Sequence, residues 1–386
     1  MKRLFFLNLL LLVLFSCNTV EKQSANNLLE EIESQFSFFA EETDDPKKVA
    51  RSYTEEKGYR MASPRDWTCG FPPGTMWQMY EITKNDKWKD LALKNTHKLE
   101  EVQFFTHTHD LGFMVFCSYG NAYRLTGEKK YKDVVIQASE SLITRFNKNV
   151  GCIRSWDHGD WQFPVIIDNM MNLEMLFWAS EQTGDPKYKN IALSHADVTV
   201  QNHFRDNMSS YHVVDYDTIT GNTIIKQTHQ GLSDESAWGR GQAWGLYGFT
   251  VMYRETGDPK YLDVAKDIAD FIITNLPDDK VSYWDYNDSK IPDTYRDASA
   301  AVITASALFE LATYDVSANT KYLDTANSII ESLNSKAYRA EVGTNGGFLL
   351  MHSVGNKPKD SEVDVPINYA DYYYLEALKR QGKILK

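Results

Sequence analysis

One turn recurs along this 386-residue chain, and it constrains the fold more than any other feature. Leu125-Thr-Gly-Glu-Lys-Lys-Tyr131, Thr183-Gly-Asp-Pro-Lys-Tyr188 and Thr256-Gly-Asp-Pro-Lys-Tyr261 are close copies of one another. Thr83-Lys-Asn-Asp-Lys-Trp88 and Ser317-Ala-Asn-Thr-Lys-Tyr322 are degenerate ones. A unit repeated at such intervals signals stacked supersecondary elements rather than an irregular domain. The glycines suit the left-handed position that closes a helix. Asp185-Pro186 and Asp258-Pro259 then supply a capping side chain followed by proline in the first helical turn. Each copy therefore predicts a short link between two helices.

The flanks agree. Before each turn lies a stretch rich in small, apolar and aromatic residues: Gly112 to Leu125, Met170 to Thr183, Ala237 to Thr256 and Ala298 to Leu311. After it comes an amphipathic one: Lys132 to Arg145, Lys189 to Val200, Asp263 to Ile273 and Leu323 to Leu333. Helices that are apolar on most sides are buried, and amphipathic ones cover them. Five hairpins are visible, and Tyr369 to Leu378 supplies a sixth by pairing with Asn27 to Phe39. The expectation is an all-α chain, with residues 27–386 forming one (α/α)6 barrel of six helical hairpins.

The first residues address the compartment. Lys2-Arg3 precede a near-continuous apolar run from Leu4 to Phe15, the pattern of a secretory signal too short to span a membrane. Leu14-Phe15-Ser16-Cys17 resembles a bacterial lipobox, so residues 1–16 read as a lipoprotein-type signal peptide. Cys17 is then the lipidated first residue, and 17–26 a tether. This predicts an exported periplasmic or outer-membrane lipoprotein of a Gram-negative bacterium, touching the membrane only through its lipid. Cys69, Cys117 and Cys152 form an odd set without metal-ligand spacing, so neither a disulfide framework nor a metal site is expected. A formal charge of −12 argues against nucleic acid and requires any anionic ligand to meet a local cluster of donors.

Chemistry should gather at one end of such a barrel. The inner helices all run the same way, so the long connections before them converge, opposite the short repeated turns. Those connections hold His107-Thr-His-Asp-Leu-Gly-Phe113, Ser155-Trp-Asp-His-Gly-Asp-Trp161, Ile167-Asp-Asn169 and Arg240-Gly-Gln-Ala-Trp244. Asp110 and Asp168 each stand at the start of an inner helix. The plain reading of either is an N-cap. Asp168, however, follows the apolar run Phe163-Pro-Val-Ile-Ile167, where burial raises a carboxyl pKa. Two carboxyls at adjacent helix starts are also what acid/base work on a sugar requires. His107 and His109 alternate without a third ligand, which is no metal pattern. Arg240, set among tryptophans, reads either as a partner for a ligand carboxylate or as one for a barrel carboxylate.

At these residues the chain resembles the unsaturated glucuronyl hydrolases, glycoside hydrolase family 88. The resemblance runs from about Trp67 to the C-terminal Tyr-Ala-Asp-Tyr-Tyr-Tyr-Leu-Glu-Ala-Leu378. It is carried by His109-Asp-Leu-Gly-Phe113, Ile167-Asp-Asn169, His229-Gln230 and Arg240-Gly-Gln-Ala-Trp244. It implies an (α/α)6 barrel without metal or organic cofactor. The implied substrates are lyase-generated acidic oligosaccharides, of glycosaminoglycan or ulvan type, ending in a 4,5-unsaturated uronate. In the implied reaction an acid protonates carbon 4, water adds at carbon 5, and the hemiketal rearranges to expel the neighbouring sugar. Asp168 matches the general acid/base and Asp110 the second essential aspartate. His212, His229, Gln230, Arg240 and Trp244 match residues around the terminal uronate, Arg240 being expected to help hold its carboxylate. Trp67 and Trp156 match aromatics nearby.

Relatives that accept sulfated disaccharides carry serines and a lysine after the last barrel loop. Here His352-Ser-Val-Gly-Asn-Lys-Pro-Lys-Asp-Ser361 departs from that pattern, with Ser353 alone in place. Two other readings fit the same residues: a hydrolase of unsaturated rhamnogalacturonyl fragments, and a lipid-anchored protein that binds acidic oligosaccharides without turnover.

Overall fold

Each glycine of the repeated turn closes a helix in the left-handed conformation: Gly127, Gly184 and Gly257 have φ of 71, 74 and 66°. Asp258 caps the next helix by accepting from Lys260 N, and Asp185 accepts from Lys187 N at 2.9 Å. The structure, a computed structural model, describes residues 26–382. The expected signal peptide, Cys17 and nearly all of the tether lie outside the described residues. No helix among those described is long and apolar enough to cross a membrane.

The chain opens with α1 (residues 26–42) and a hairpin of β1 (Val49–Thr54) and β2 (Gly58–Ala62). Then come α2 (Phe71–Thr83) and α3 (Asp86–His97), a π-helical segment (Gly112–Gly120) continuing into α4 (Asn121–Thr126), and α5 (Lys129–Ile143). Short strands β3 (Phe146–Asn147), β4 (Cys152–Ile153) and β5 (Pro164–Ile166) lead to a 3-10 turn (Ile167–Asn172) and α6 (Leu173–Thr183). After α7 (Lys187–Asn202), strands β6 (Val213–Tyr216) and β7 (Thr223–Gln227) extend β5 into a three-stranded antiparallel sheet. Helices α8 (Gly239–Thr256), α9 (Pro259–Asn275), α10 (Ala298–Leu311) and α11 (Asn319–Asn334) follow. The hairpin of β8 (Ser353–Asn356) and β9 (Ser361–Val365) precedes α12 (Asn368–Gln381).

The ring closes. Helix α2 packs on the π-helical segment before α4, which packs on α6; α6 meets α8, α8 meets α10, α10 meets α12, and α12 returns to α2. Outer helix α1 fills the sixth outer position, beside α3 through Trp88 Nε1 donating to Glu33 at 2.9 Å. On its other side Phe39 lies edge-on to Phe348 at 4.9 Å, and Arg339, just beyond α11, pairs with Glu31. The nine short strands among the described residues depart from an all-α expectation, and they sit in the long connections rather than in the barrel wall.

The aromatic that ends each turn is buried: Trp88, Tyr131, Tyr188, Tyr261 and Tyr322. Several also reach back to an acid on the preceding outer helix. Tyr188 OH donates to Glu140, and Tyr261 OH donates to Asp197 at 2.7 Å. In three of the turns the lysine before the tyrosine repeats the link, with Lys187 on Glu140, Lys260 on Asp197 and Lys321 on Asp270. One six-residue motif thus closes a hairpin and ties it to its neighbour.

Inner helices approach closely because small residues face their neighbours. A Cβ on Gly248 of α8 would lie 2.4 Å from the Met170 Cβ. Gly248→Ala should therefore lower stability by about 1–3 kcal/mol through overpacking. Urea unfolding checks this; an unchanged midpoint would show that α8 and the 3-10 turn before α6 have room to separate.

Candidate active site

Two adjacent inner helices begin with the two aspartates, and a single side chain sets the two beginnings together. Asn172, fully buried at the end of the 3-10 turn before α6, accepts from Gly112 N at 2.9 Å and from Phe113 N at 3.3 Å. A Cβ at position 112 would come within 2.6 Å of the Asn172 oxygen, so this junction requires glycine. Asp110 lies just before the π-helical segment, and Asp168 lies within the 3-10 turn.

Neither aspartate caps its helix through its side chain. Asp110 accepts from the Thr108 hydroxyl and pairs with His109 Nε2 at 3.1 Å. Burial pushes its carboxyl up, but His109, Thr108 and the charge of Arg145 outweigh that and hold it below the usual carboxylate range. Asp168 is buried, and its Oδ2 has no hydrogen-bond partner among the described residues. Desolvation dominates there: against the opposing pull of Arg240 and His109, and with Asp110 adding repulsion, its pKa rises from 3.8 to about 7. The cleft thus holds one carboxyl kept ionised and one that exchanges its proton near neutrality, a pairing suited to proton transfer.

His212 stands behind Asp168, its Nε2 3.8 Å from Asp168 Oδ2. Its Nδ1 accepts two backbone N–H groups, from His229 at 3.0 Å and Gln230 at 3.1 Å. That leaves the proton on Nε2, facing the carboxyl. Burial holds the imidazole neutral, well below its ordinary pKa. One ring therefore both faces Asp168 and sets the backbone that presents His229 and Gln230.

Both aspartates open into a cleft of about 500 Å³. Trp67, Trp156, His229 and Gln230, four of the residues singled out in the sequence, line it. Trp156 is joined to Thr108 by a β-bridge and lies 5.3 Å, ring to ring, from His229. Trp67 stacks on Tyr369 at 5.2 Å. His107 is exposed against Asp157, apart from the buried His109, and no group of three metal-ligating side chains converges among the described residues.

Besides His212, three expected contact residues lie behind the cleft wall. Arg240 is 1 % exposed, pairs with Asp297 at 3.1 Å and donates to Val354 O and to Gly355 O at 2.7 Å. Nη1 and Nη2 are thus bound within the barrel, and Nε has no partner among the described residues. Trp244 is fully buried between Phe113 and Tyr373, a packing position. Ser353 is fully buried in β8, opposite Val365.

In their place the cleft gains residues that the helical reading passed over. Arg51 and Arg60 come from the β1–β2 hairpin, and Arg65 follows it. Glu362 of β9 binds Arg51 at 2.7 Å and Arg60 at 3.1 Å, while Asp66 takes Arg51 from the other side at 2.9 Å. Arg65 has no carboxylate partner among the described residues and lies 5.9 Å from the Phe105 ring. Lys359 sets its ammonium 3.0 Å from His229 Nε2, and burial together with that charge pushes the His229 pKa down to about 4. These cations are the local donor cluster that a chain of charge −12 needs for an anionic ligand.

Comparison with known proteins agrees with this geometry. Residues 42–382 match the model of Glycosyl Hydrolase Family 88. The chain is 50 % identical over 328 residues to the unsaturated glucuronyl hydrolase of Formosa agariphila, covering 83 % of this chain and 82 % of that protein. It is 33 % identical over 369 residues to the unsaturated chondroitin disaccharide hydrolase of Streptococcus pneumoniae, covering 93 and 91 %. A crystal structure of an unsaturated glucuronyl hydrolase specific for heparin superposes with a TM-score of 0.90 at 47 % identity, over 94 % of this chain and 97 % of that one. A mutant of the Streptococcus agalactiae enzyme complexed with dGlcA-GalNAc6S superposes at 0.80 and 30 % identity, over 93 and 91 %. This chain belongs to glycoside hydrolase family 88.

Proposed function

We propose that this protein removes a 4,5-unsaturated uronic acid from the non-reducing end of lyase-generated acidic oligosaccharides by hydrating the ring double bond. The observation that carries the reading is the buried, unpartnered Asp168 carboxyl, raised to about 7 beside an ionised Asp110 in one cleft. Protonated Asp168 donates to carbon 4, whose bond to carbon 5 supplies the electron pair. The cation left at carbon 5 is stabilised by the ring oxygen. Water adds there and returns its proton to the Asp168 carboxylate. The hemiketal opens by breaking the bond between carbon 5 and the ring oxygen, and collapse at carbon 1 expels the next sugar. Asp110 holds ring hydroxyls, while Trp67 and Trp156 offer flat faces to the sugar.

Unsaturated glycosaminoglycan disaccharides are the first substrates to offer, in keeping with the relatives' names. The resemblance of Leu14-Phe15-Ser16-Cys17 to a lipobox supports an exported, lipid-anchored enzyme that meets lyase products outside the cytoplasm. Metabolic labelling with a fatty acid, lost in Cys17→Ala, tests that anchor.

The conjugated double bond absorbs in the ultraviolet, and hydration abolishes the signal. Loss of absorbance with wild type, reduced at least about a thousandfold in Asp168→Asn, is expected from removal of an essential acid/base. Persistent absorbance with tight binding would instead mark a binding protein. Turnover confined to rhamnogalacturonyl fragments would move the substrate to pectin.

Because Asp168 must start protonated, kcat/KM should fall as pH rises through about 7. The same shift has a stability consequence. The folded pKa lies above the unfolded value of 3.8, so ionisation opposes folding; the cost is absent below about pH 4 and complete above about 7. Asp168→Asn should therefore be more stable than wild type by about 2–4 kcal/mol at pH 8 and no more stable at pH 4. Equal unfolding curves at both pH values would show that Asp168 is not destabilised by burial. Arg65→Gln should raise KM about fivefold at low salt, with the gap closing at high salt as screening removes the attraction.

A further inference from the structure

Arg145 touches neither aspartate and does not line the cleft, yet its side chain holds both loops that build one wall of it. It follows the C-cap of α5 and is 5 % exposed. Its Nε donates to Arg154 O at 2.8 Å, and Nη1 donates to Thr106 O. Nη1 and Nη2 straddle the Asp157 carboxylate at 3.2 and 2.8 Å. The contacts therefore fall on residues 106 and 154–157, the bases of the segments that carry Asp110 and Trp156.

The two segments are also joined to each other. His109 N donates to Ser155 O at 2.9 Å, Thr108 bridges to Trp156, and His107 meets Asp157 at 3.3 Å. Thr108 and His109 then hold the Asp110 carboxylate. A guanidinium presents its donors in a rigid planar fork, so it fixes carbonyls and a carboxylate in one plane; an ammonium is a point charge that cannot.

We infer that Arg145 is a positioning residue for the hydration reaction, clamping the Asp110 and Trp156 loops into one unit from outside the cleft. The inference rests on the proposed role of Asp110. The charged and titratable groups facing Asp110 are His109 on its own loop, Asp168 from the next helix opening, Cys69 from the segment before α2, and Arg145. Arg145 is thus the cation supplied from the outer layer.

The test compares Arg145→Lys, Arg145→Gln and Asp157→Asn by pH-dependent kinetics on an unsaturated disaccharide and by amide hydrogen exchange. Arg145→Lys should lose about ten- to a hundredfold in kcat, with a smaller change in KM, as expected when a catalytic loop shifts by an ångström. Arg145→Gln should in addition move the acid limb upward by up to about one pH unit, as Asp110 loses a stabilising charge. Exchange should quicken at residues 106–110 and 154–157 while the inner helices stay protected. Asp157→Asn, which spares the carbonyl contacts, should fall between. Recovery of full kcat with normal loop exchange in Arg145→Lys would overturn the clamp, leaving charge alone. So would exchange that quickens equally across the barrel. Should wild type leave the absorbance unchanged, the reading of the reaction fails, and loop exchange alone still decides the clamp.

Discussion

The structure depends on six inner helices packed against one another closely enough to close a ring. That constraint selects their composition. Helix α10 reads Ala-Ser-Ala-Ala-Val-Ile-Thr-Ala-Ser-Ala from Ala298 to Ala307 and is buried throughout that stretch. Gly74 in α2 admits Tyr372 of α12, whose ring would sit 2.6 Å from a Cβ there. Interiors at organic-crystal density leave no slack for an added methyl at such crossings. Closure also directs every inner helix the same way, which brings six helix openings, and the segments feeding them, to one mouth. The catalytic cleft is therefore a consequence of the ring, not an addition to it.

Gathering polar backbone at one mouth creates a second demand, because buried N–H groups need acceptors. Buried aspartates answer much of it. Asp297 caps α10 through Ser299 N and Ala300 N while also binding Arg240. Asp371 of α12 accepts from Leu349 N and Leu350 N, and burial still raises its carboxyl to about 8. Asp168 differs from both in leaving one oxygen without a partner. What opposes its desolvation is chiefly the charge of Arg240 rather than a pair of amides. A buried carboxyl that the fold does not consume is what separates Asp168 from the structural aspartates and supports the role proposed for it.

Much of the barrel was legible because its signals are local. The Thr-Gly-Asp-Pro-Lys-Tyr turn encodes a C-cap, an N-cap and a buried aromatic within six residues, and it repeats. The cleft wall was not legible for the opposite reason. Residues of β2 are all half-buried or exposed, so no alternation of apolar and polar marks Arg60 as part of a hairpin. Glu362 and Arg51 are 311 positions apart, and nothing local announces their bond. Motifs located Arg240, Trp244 and Ser353 in the right neighbourhood but could not give depth. Arg240-Gly-Gln-Ala-Trp244 lies at the start of a helix whose every side faces protein, so its side chains end beneath the cleft rather than in it.

Depth gives Arg240 a different importance. Through Val354 O and Gly355 O it fastens β8 to the barrel, and Gln230 reaches the same Gly355 carbonyl at 3.0 Å. Glu362, on the partner strand β9, is fastened to Arg51 and Arg60. The hairpin that carries Asn356 and Lys359 to the cleft is thus held from below and from the side. Arg240 acts on the chemistry as well: its charge is the strongest opposition to the burial that lifts Asp168. Burial alone would leave an acid too weak to give up its proton, and a charge in direct contact would leave a carboxylate with none to give. A guanidinium close enough to be felt, yet committed to Asp297, sets the balance between them. The hydration proposed above needs both states of Asp168, first the acid for carbon 4 and then the base for water, and that balance would supply them.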